Sequence, residues 1–167
     1  AYNIAEVYTN HDYEKYAIER DNEVRKLLNT SGIAFYTYKD QCIFERNEIL
    51  SNTGTAYSVF TPYSRKWKEK LNDFYLKSYP NESYFDQFLT ITDLPLLSLA
   101  DMHFEATSIE FPQNSTELEL IKNYKAQRDI PSIKGTSRLS VHLRFGTVSI
   151  RKLAQMALPN SETWLNE

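Results

Sequence analysis

Glycine is scarce in this chain, with four in 167 residues. That excludes the glycine-rich loops that cradle nucleotide phosphates, both the P-loop and the dinucleotide fingerprint. A single cysteine, Cys42, cannot form an intrachain disulfide. It reads as a small buried apolar residue and fits a reducing, cytoplasmic setting. No run of about 18 apolar residues exists, so no membrane span is expected. The N-terminus lacks the basic and apolar regions of a secretory signal. His11, His103 and His142 are not spaced like metal ligands. They read as ordinary surface or core histidines, and no metal site is expected. Internal repeats and low-complexity tracts are absent too.

Hydrophobic residues make up 41% of the chain and charged ones 25%, a globular balance rather than a disordered one. Aromatic residues are abundant at 14%, led by twelve tyrosines. The net charge of −3 conceals an asymmetry. Between Ser115 and Leu158 eight Lys/Arg face only three acids, so the rest of the chain carries −8. This basic block is either a solvated helix face or the seat of a polyanion.

The first sixty residues alternate strand and helix. Ala5–Thr9 is a short strand, residues 14–29 form a helix with a stripe of Ala17, Val24, Leu27 and Leu28, and Ile33–Tyr38 is a second strand. This is a βαβ unit and implies parallel pairing. Tyr8, Tyr36 and Tyr38 are expected to pack on the strands. Two parallel strands alone cannot be buried on both faces, so self-association or further strands are expected. Thr61 and Pro62 look like the N-cap and first residue of a helix. Residues 76–115 read as an irregular connector with short elements of its own. Its aromatic cluster of Phe74, Tyr75, Tyr79, Tyr84, Phe85 and Phe88 is expected to pack against the flanking units. Thr116 and Glu119 have the spacing of a capping box for a helix through about Arg128. Short helices are expected over 137–145 and 150–158 and from near Ser161.

The stretch GTSRLSVHLRFGTVSIRKLA, residues 135–154, holds the strongest chemical signal. Thr136 and Ser137 stand at a helix start with Arg138 beside them and no acid in the first turn. Free N–H groups there favour anions, and a start without its own acid leaves that potential for a foreign phosphate. Gly135 would let the backbone turn sharply just before. Alternatively, Thr136 or Ser137 simply caps its own helix.

The segments VYTNHDYEKYAIERD (7–21), YSVFTPYSRKW (57–67), NYKAQRDIPSIKGTSRLSVHLRFGTVSIRKLA (123–154) and SETWLNE (161–167) carry a resemblance. In content and order they resemble the DNA photolyase/cryptochrome family, and cyclobutane-dimer photolyases in particular. The resemblance implies a fold class of α/β followed by all-α, with the chain an internal fragment. Residues 1–62 would be the end of a Rossmann-like parallel α/β antenna domain, 63–114 a helix and interdomain linker, and 115–167 the first helices of a helical FAD-binding domain.

By position, the resemblance implies FAD contacts from Tyr124, Thr136, Ser137, Arg138, Leu139, Ser140 and Trp164. It implies DNA contacts from Arg128, Lys125 and Glu167, with Glu167 and Trp164 the catalytic pair at the pyrimidine dimer. A buried carboxylic acid at Glu167 could donate a hydrogen bond to a dimer carbonyl. The antenna chromophore is left open. Tyr16-Ala17 stands where some members carry Asn-Glu for a folate, which speaks against a folate held in that way. Val141 and Ile150 replace prolines common in the family. The implied activity is light-driven electron transfer from reduced FAD to pyrimidine dimers in DNA, with this fragment alone inactive. Two other readings compete: a cryptochrome-type blue-light receptor, and a non-catalytic binding or assembly module.

Overall fold

The computed structural model describes residues 3–90 and 95–167. Residues 91–94, part of the expected connector, and residues 1–2 lie outside them. Strands β1 (Glu6–Asn10) and β2 (Ala34–Tyr38) pair in parallel, Tyr8 opposite Tyr36, with α1 (Lys15–Thr30) as the crossover. Helix α1 ends in a Schellman motif. Gly32 adopts φ +71° and donates to the Asn29 carbonyl at 3.1 Å, and Ile33 donates to Leu28 at 3.0 Å. The helix meets only two strands, so its covered face is narrow. Ala17 is buried and Leu28 half-buried, whereas Val24 and Leu27 of the expected stripe face solvent.

Residues alternate across the sheet. Val7, Thr9, Phe35 and Thr37 are half-buried on one face, where the Arg25 guanidinium of α1 lies 5.3 Å from the Phe35 ring centroid. Tyr8, Tyr36 and Tyr38 share the opposite face. Tyr8 stacks on Tyr36 at 5.1 Å and on Tyr38 at 6.2 Å, yet all three are exposed. The Tyr8 hydroxyl donates to the Glu6 carboxylate, which pushes the phenol pKa up to about 12.

The loop leaving β2 enters the core. Ile43, Phe44 and Ile49 are buried with Leu76 and Ala154. Helices α2 (Phe60–Lys70) and α3 (Asp73–Leu76) supply aromatic partners: the Phe44 ring meets Trp67 edge-on at 5.6 Å and Tyr75 at 4.6 Å. The Lys39 and Lys70 ammoniums lie 5.6 and 5.4 Å from the Phe44 centroid. A 3₁₀ turn, Arg46–Glu48, follows with a capping box between Glu45 and Glu48. Lys39 donates to the Glu48 carboxylate and Lys70 to its carbonyl, each at 2.7 Å. Glu45 accepts from His11 Nδ1 at 2.8 Å and from the Tyr13 hydroxyl, and His11 Nε2 lies 2.9 Å from Thr37 Oγ1. Burial raises the Tyr13 pKa, helped by its bonds to Cys42 and Glu45.

Four shorter helices complete the fold: α4 (Leu118–Gln127), α5 (Ser140–Arg144), α6 (Ile150–Ala157) and α7 (Glu162–Leu165). Several starts differ from expectation. Helix α2 begins one residue before Thr61, with Val59 as N-cap and no side-chain cap. Pro62 falls at the third helical position, where its missing N–H has no intrahelical acceptor to serve. The Thr116 capping box does not form. Glu117 takes the N-cap position, the Thr116 hydroxyl is buried without a partner, and Glu119 is drawn off by Lys122 at 2.9 Å. The helix expected from 137 starts only at Ser140, because Arg138 sits in the left-handed region at φ +52°. Ser149 and Ser161 do cap α6 and α7, each accepting a backbone N–H at 3.3 Å. Of the connector aromatics, Tyr75 joins the core, whereas Phe74, Tyr79, Tyr84, Phe85 and Phe88 are exposed. Cys42 is only half-buried.

Gly135 is required for a reason other than a turn. It is buried, its φ is not left-handed, and a Cβ there would lie 2.7 Å from Gln127 Cβ and 2.9 Å from the Gln127 carbonyl. Gly135→Ala is therefore expected to destabilise the chain by about 1–3 kcal/mol, the usual cost of overpacking, read as a lower urea midpoint. A second expectation concerns acid. Burial opposes the Glu45 charge, but Tyr13 and His11 outweigh it; burial likewise opposes Glu48, but Lys39 and the Glu45 N–H prevail. Both carboxyls thus titrate below the ordinary value of 4.5 in the folded chain. Their stabilisation is complete above the unfolded value and is lost as pH falls through the folded ones. Thermal midpoints measured from neutral pH downward should start to drop near 4.5, and less steeply in Glu48→Gln.

Candidate functional site

A cavity of about 500 Å³ opens where the loop after β2 meets the C-terminal helices. That volume is in the range of small-molecule sites, about 300–1,000 Å³. One wall is the loop Gln41–Phe44. A second is α6, through Ile150, Leu153, Ala154 and Ala157. Tyr63 and Trp67 come from α2, Tyr124 from α4, Ser137, Leu139, Ser140 and Leu143 from the α5 region, and Trp164, Leu165 and Glu167 from the C-terminal end.

The amphipathic pattern of α6 explains its wall: Leu153, Ala154 and Ala157 are buried and small enough to admit neighbours closely. Helix α7 is positioned by the Ser161 cap and by a 2.6 Å ion pair between Lys68 of α2 and Glu162. That pair, through hydrogen bond and charge, holds the Glu162 carboxyl below its usual range. Leu139 is buried and fixes the α5 start against the rest of the fold.

The cavity brings together Tyr124, Ser137, Leu139, Ser140, Trp164 and Glu167 of the residues singled out from the sequence. Thr136, Arg138 and Lys125 are exposed and do not line it. Arg128, at the C-cap of α4, lies just outside. Its guanidinium is 5.8 Å from the Tyr124 ring centroid, 3.6 Å from Asp129, and paired with Glu167. Glu167 is half-exposed in that pair. It is therefore not the buried acid expected from the resemblance.

Among the described residues Glu167 is the one formally charged side chain lining the cavity, and it pairs with Arg128. The remaining polar lining is uncharged and includes the Ser137 and Ser140 hydroxyls, the Tyr63 and Tyr124 phenols, the Gln41 amide and the Cys42 thiol. Five aromatic side chains, Phe44, Tyr63, Trp67, Tyr124 and Trp164, suit a flat, apolar ring system. The short α5 lends little helix dipole. Anion contacts would have to come from Ser137, Ser140 and nearby backbone N–H groups.

Gln41–Phe44 and the Tyr63/Trp67 pair were not singled out from the sequence. The i,i+4 spacing of Tyr63 and Trp67 on one helix was a readable sign. The loop left none, because its partners are scattered along the chain, from His11 and Tyr13 to Arg151, which lies 109 residues beyond Cys42. Of Tyr16-Ala17, Tyr16 is exposed and Ala17 buried beneath α1. A smaller hollow of about 190 Å³, with His11, Asp12, Arg25 and Thr37 among its lining, lies at the carboxyl ends of the strands. Among the described residues no group of three or more His, Cys, Asp or Glu could hold a metal, and no helix is long and apolar enough to cross a membrane.

The sequence model of the DNA photolyase family matches residues 1–82. A deoxyribodipyrimidine photo-lyase of Halobacterium salinarum is 34% identical over 163 residues, covering 90% of this chain. Residues 1–82 thus match DNA photolyases, and the rest of the chain resembles them as well. Another photo-lyase, from Alkalihalophilus pseudofirmus, is 31% identical over 96% of the chain, and that of Escherichia coli 26% over 98%. These matches take in 34%, 37% and 38% of the relatives, so the chain spans about a third of the length of the photolyases it matches. The crystal structure of a bacterial class III photolyase from Agrobacterium tumefaciens superposes with a TM-score of 0.71 at 18% identity, covering 97% of this chain and 37% of that one. The fold is thus a mixed α/β arrangement, a small parallel sheet followed by helices, shared with that photolyase.

One prediction follows from how α7 is held. Ser161→Ala should cost about 0.5–2 kcal/mol of local stability through the lost cap. In a Trp67→Phe background, where Trp164 is the sole tryptophan, its emission should shift to the red as α7 frays.

Proposed function

We propose that this chain is the cofactor-binding start of a DNA photolyase that repairs cyclobutane pyrimidine dimers with FAD, acting in the cytoplasm. In this reading residues 1–62 close the α/β antenna domain, 63–114 link, and 115–167 begin the FAD-binding domain. The observation that carries it is one cavity, in a chain similar to photolyases, that gathers Tyr124, Ser137, Leu139, Ser140 and Trp164 from three separate segments.

The residues fit the cofactor. Ser137 and Ser140 would hold its diphosphate by hydroxyl and backbone donors, each such bond strengthened by the anion's charge. Thr136 and Arg138 flank these serines on the exposed side and would meet the diphosphate only from outside the cavity. Tyr124, Trp67 and Trp164 supply apolar faces that orient a flat ring system and keep water from it. When bound, FAD supplies the light-driven electron that splits the dimer. Arg128, which pairs with the lining Glu167, and Lys125, in the last turn of α4, would hold DNA phosphates in a salt-sensitive, sequence-blind way. Glu167 and Trp164 would meet a dimer flipped from the helix, where a damaged base flips at lower cost. For Glu167 this requires Arg128 to release it, and a DNA phosphate is a competing anion that could do so.

The deciding comparison is between FAD and riboflavin, which lacks the phosphates. The Ser137→Ala/Ser140→Ala double variant should lose roughly tenfold in affinity for FAD, the scale of one charge-assisted hydrogen bond, with riboflavin affinity unchanged. Equal losses for both ligands would defeat the phosphate assignment. The chain alone is expected to purify with well under one flavin per molecule and to show no dimer repair. It is also expected to self-associate through its bare tyrosine face and exposed connector side chains. Light scattering that reports a clean monomer at high concentration would count against that.

A further inference from the structure

Among the hydrogen bonds that join the βαβ unit to the C-terminal helices, those of Arg151 bear on both main walls of the cavity. Arg151 stands in the first turn of α6, with its side chain mostly buried. One guanidinium nitrogen donates to the Asp40 carbonyl at 2.8 Å, and the other to the Cys42 carbonyl at 3.3 Å. The Asp40 carboxylate is 4.0 Å away and itself accepts from Asn10 at 3.0 Å. The loop carrying these carbonyls continues directly into Gln41–Phe44. The helix carrying Arg151 continues into Leu153, Ala154 and Ala157. Both walls line the 500 Å³ cavity.

Loop carbonyls at a strand exit need partners, and water would serve them equally well. A planar fork reaching two carbonyls two residues apart does something water cannot: it fixes the loop's distance and angle to α6. Lysine can reach one carbonyl but not hold two in a plane. Few other side chains tether Gln41–Phe44 by hydrogen bonds. Gln41 reaches back to the His11 carbonyl at 3.2 Å, and the Cys42 thiol lies 3.3 Å from the Tyr13 hydroxyl. Both of these partners are on the βαβ side and neither reaches α6.

We propose that Arg151 is a positioning residue that sets the width of the cavity by clamping the Cys42 wall to α6. It does not touch the ligand; it acts through Gln41–Phe44. The inference deepens the proposed FAD reading only in naming the ligand, while the clamp itself rests on the two carbonyl bonds.

Cys42 is the chain's only thiol and lies on the clamped wall, so its rate of reaction with an aromatic disulfide reagent reports opening of that wall. In the full chain, Arg151→Met should raise the rate about tenfold or more, the change in local opening that loss of a charge-assisted hydrogen bond brings. Arg151→Lys should fall between, and Lys152→Met, on the exposed side of the same helix, should match the unaltered chain. Circular dichroism checks that each variant is folded. Should Arg151→Met unfold, Arg151→Lys decides: an intermediate rate supports the clamp and an unchanged rate overturns it. Excess FAD should protect Cys42 in the unaltered chain and less so in Arg151→Lys. No protection by FAD in any variant, with the rate order intact, would defeat the FAD reading and leave the clamp standing. Protection by FAD with identical rates across the Arg151 variants would do the reverse.

Discussion

The insertion of Phe44 between α2, α3 and α6 is the contact on which the rest of the molecule depends. Its ring is shared by Trp67 and Tyr75 and flanked by two ammonium groups. Burial of an aromatic ring contributes on the order of 2–3 kcal/mol, and the cations add to it where they are shielded from water. Lys39 and Lys70 are in turn anchored on Glu48, so the acid and the ring stabilise the same two side chains. One dipeptide, Ile43-Phe44, therefore joins a parallel sheet at one end of the chain to helices at the other. It also forms part of the cavity wall. Packing and site are the same atoms here, so a change that loosens the core must alter the cavity.

Parallel pairing explains the uneven surface. A βαβ unit protects one sheet face with its own crossover helix and leaves the other to whatever lies beyond it. Here the second face carries three stacked tyrosines, residues that tolerate water at the hydroxyl while presenting an apolar ring. The connector shows a related compromise. Its short helical turns satisfy backbone groups locally, while Phe85 and Phe88 pair with one another at 5.2 Å instead of entering the main core.

Much of this was legible in the sequence where the signal was local. The βαβ unit followed from β-branched and aromatic runs flanking a helical stretch, and the helices expected over 150–158 and from near Ser161 are present as α6 and α7. The gathering of Tyr124, Ser137, Ser140 and Trp164 around one cavity was suggested only through the family resemblance. What could not be read depends on distant neighbours. Thr116 and Glu119 had the right spacing for a box, but Lys122 offered Glu119 a better partner. The helix expected at residue 137 was broken by Arg138, whose left-handed backbone no propensity foretells. Gly135, which by its place before a helix reads as a turn residue, is instead a point of close approach to Gln127. The Gln41–Phe44 wall gave no sign, since its partners are dispersed: Tyr13, Trp67 and Tyr75 on nearer elements and Arg151 109 residues further along.

That separation has a consequence for how the chain is made. Phe44 and the carbonyls beside it leave the ribosome long before α6 exists to receive them. At about 5–20 residues per second of synthesis, the loop waits on the order of 5–20 s with its aromatic ring uncovered. During that interval the βαβ segment lacks the α6 side chains that pack with Ile43 and Phe44 in the finished core. The two lysines that later flank the ring are already in place, Lys39 before it and Lys70 soon after. Their ammoniums, which lie against the ring in the folded chain, are its first available cover before α6 is made.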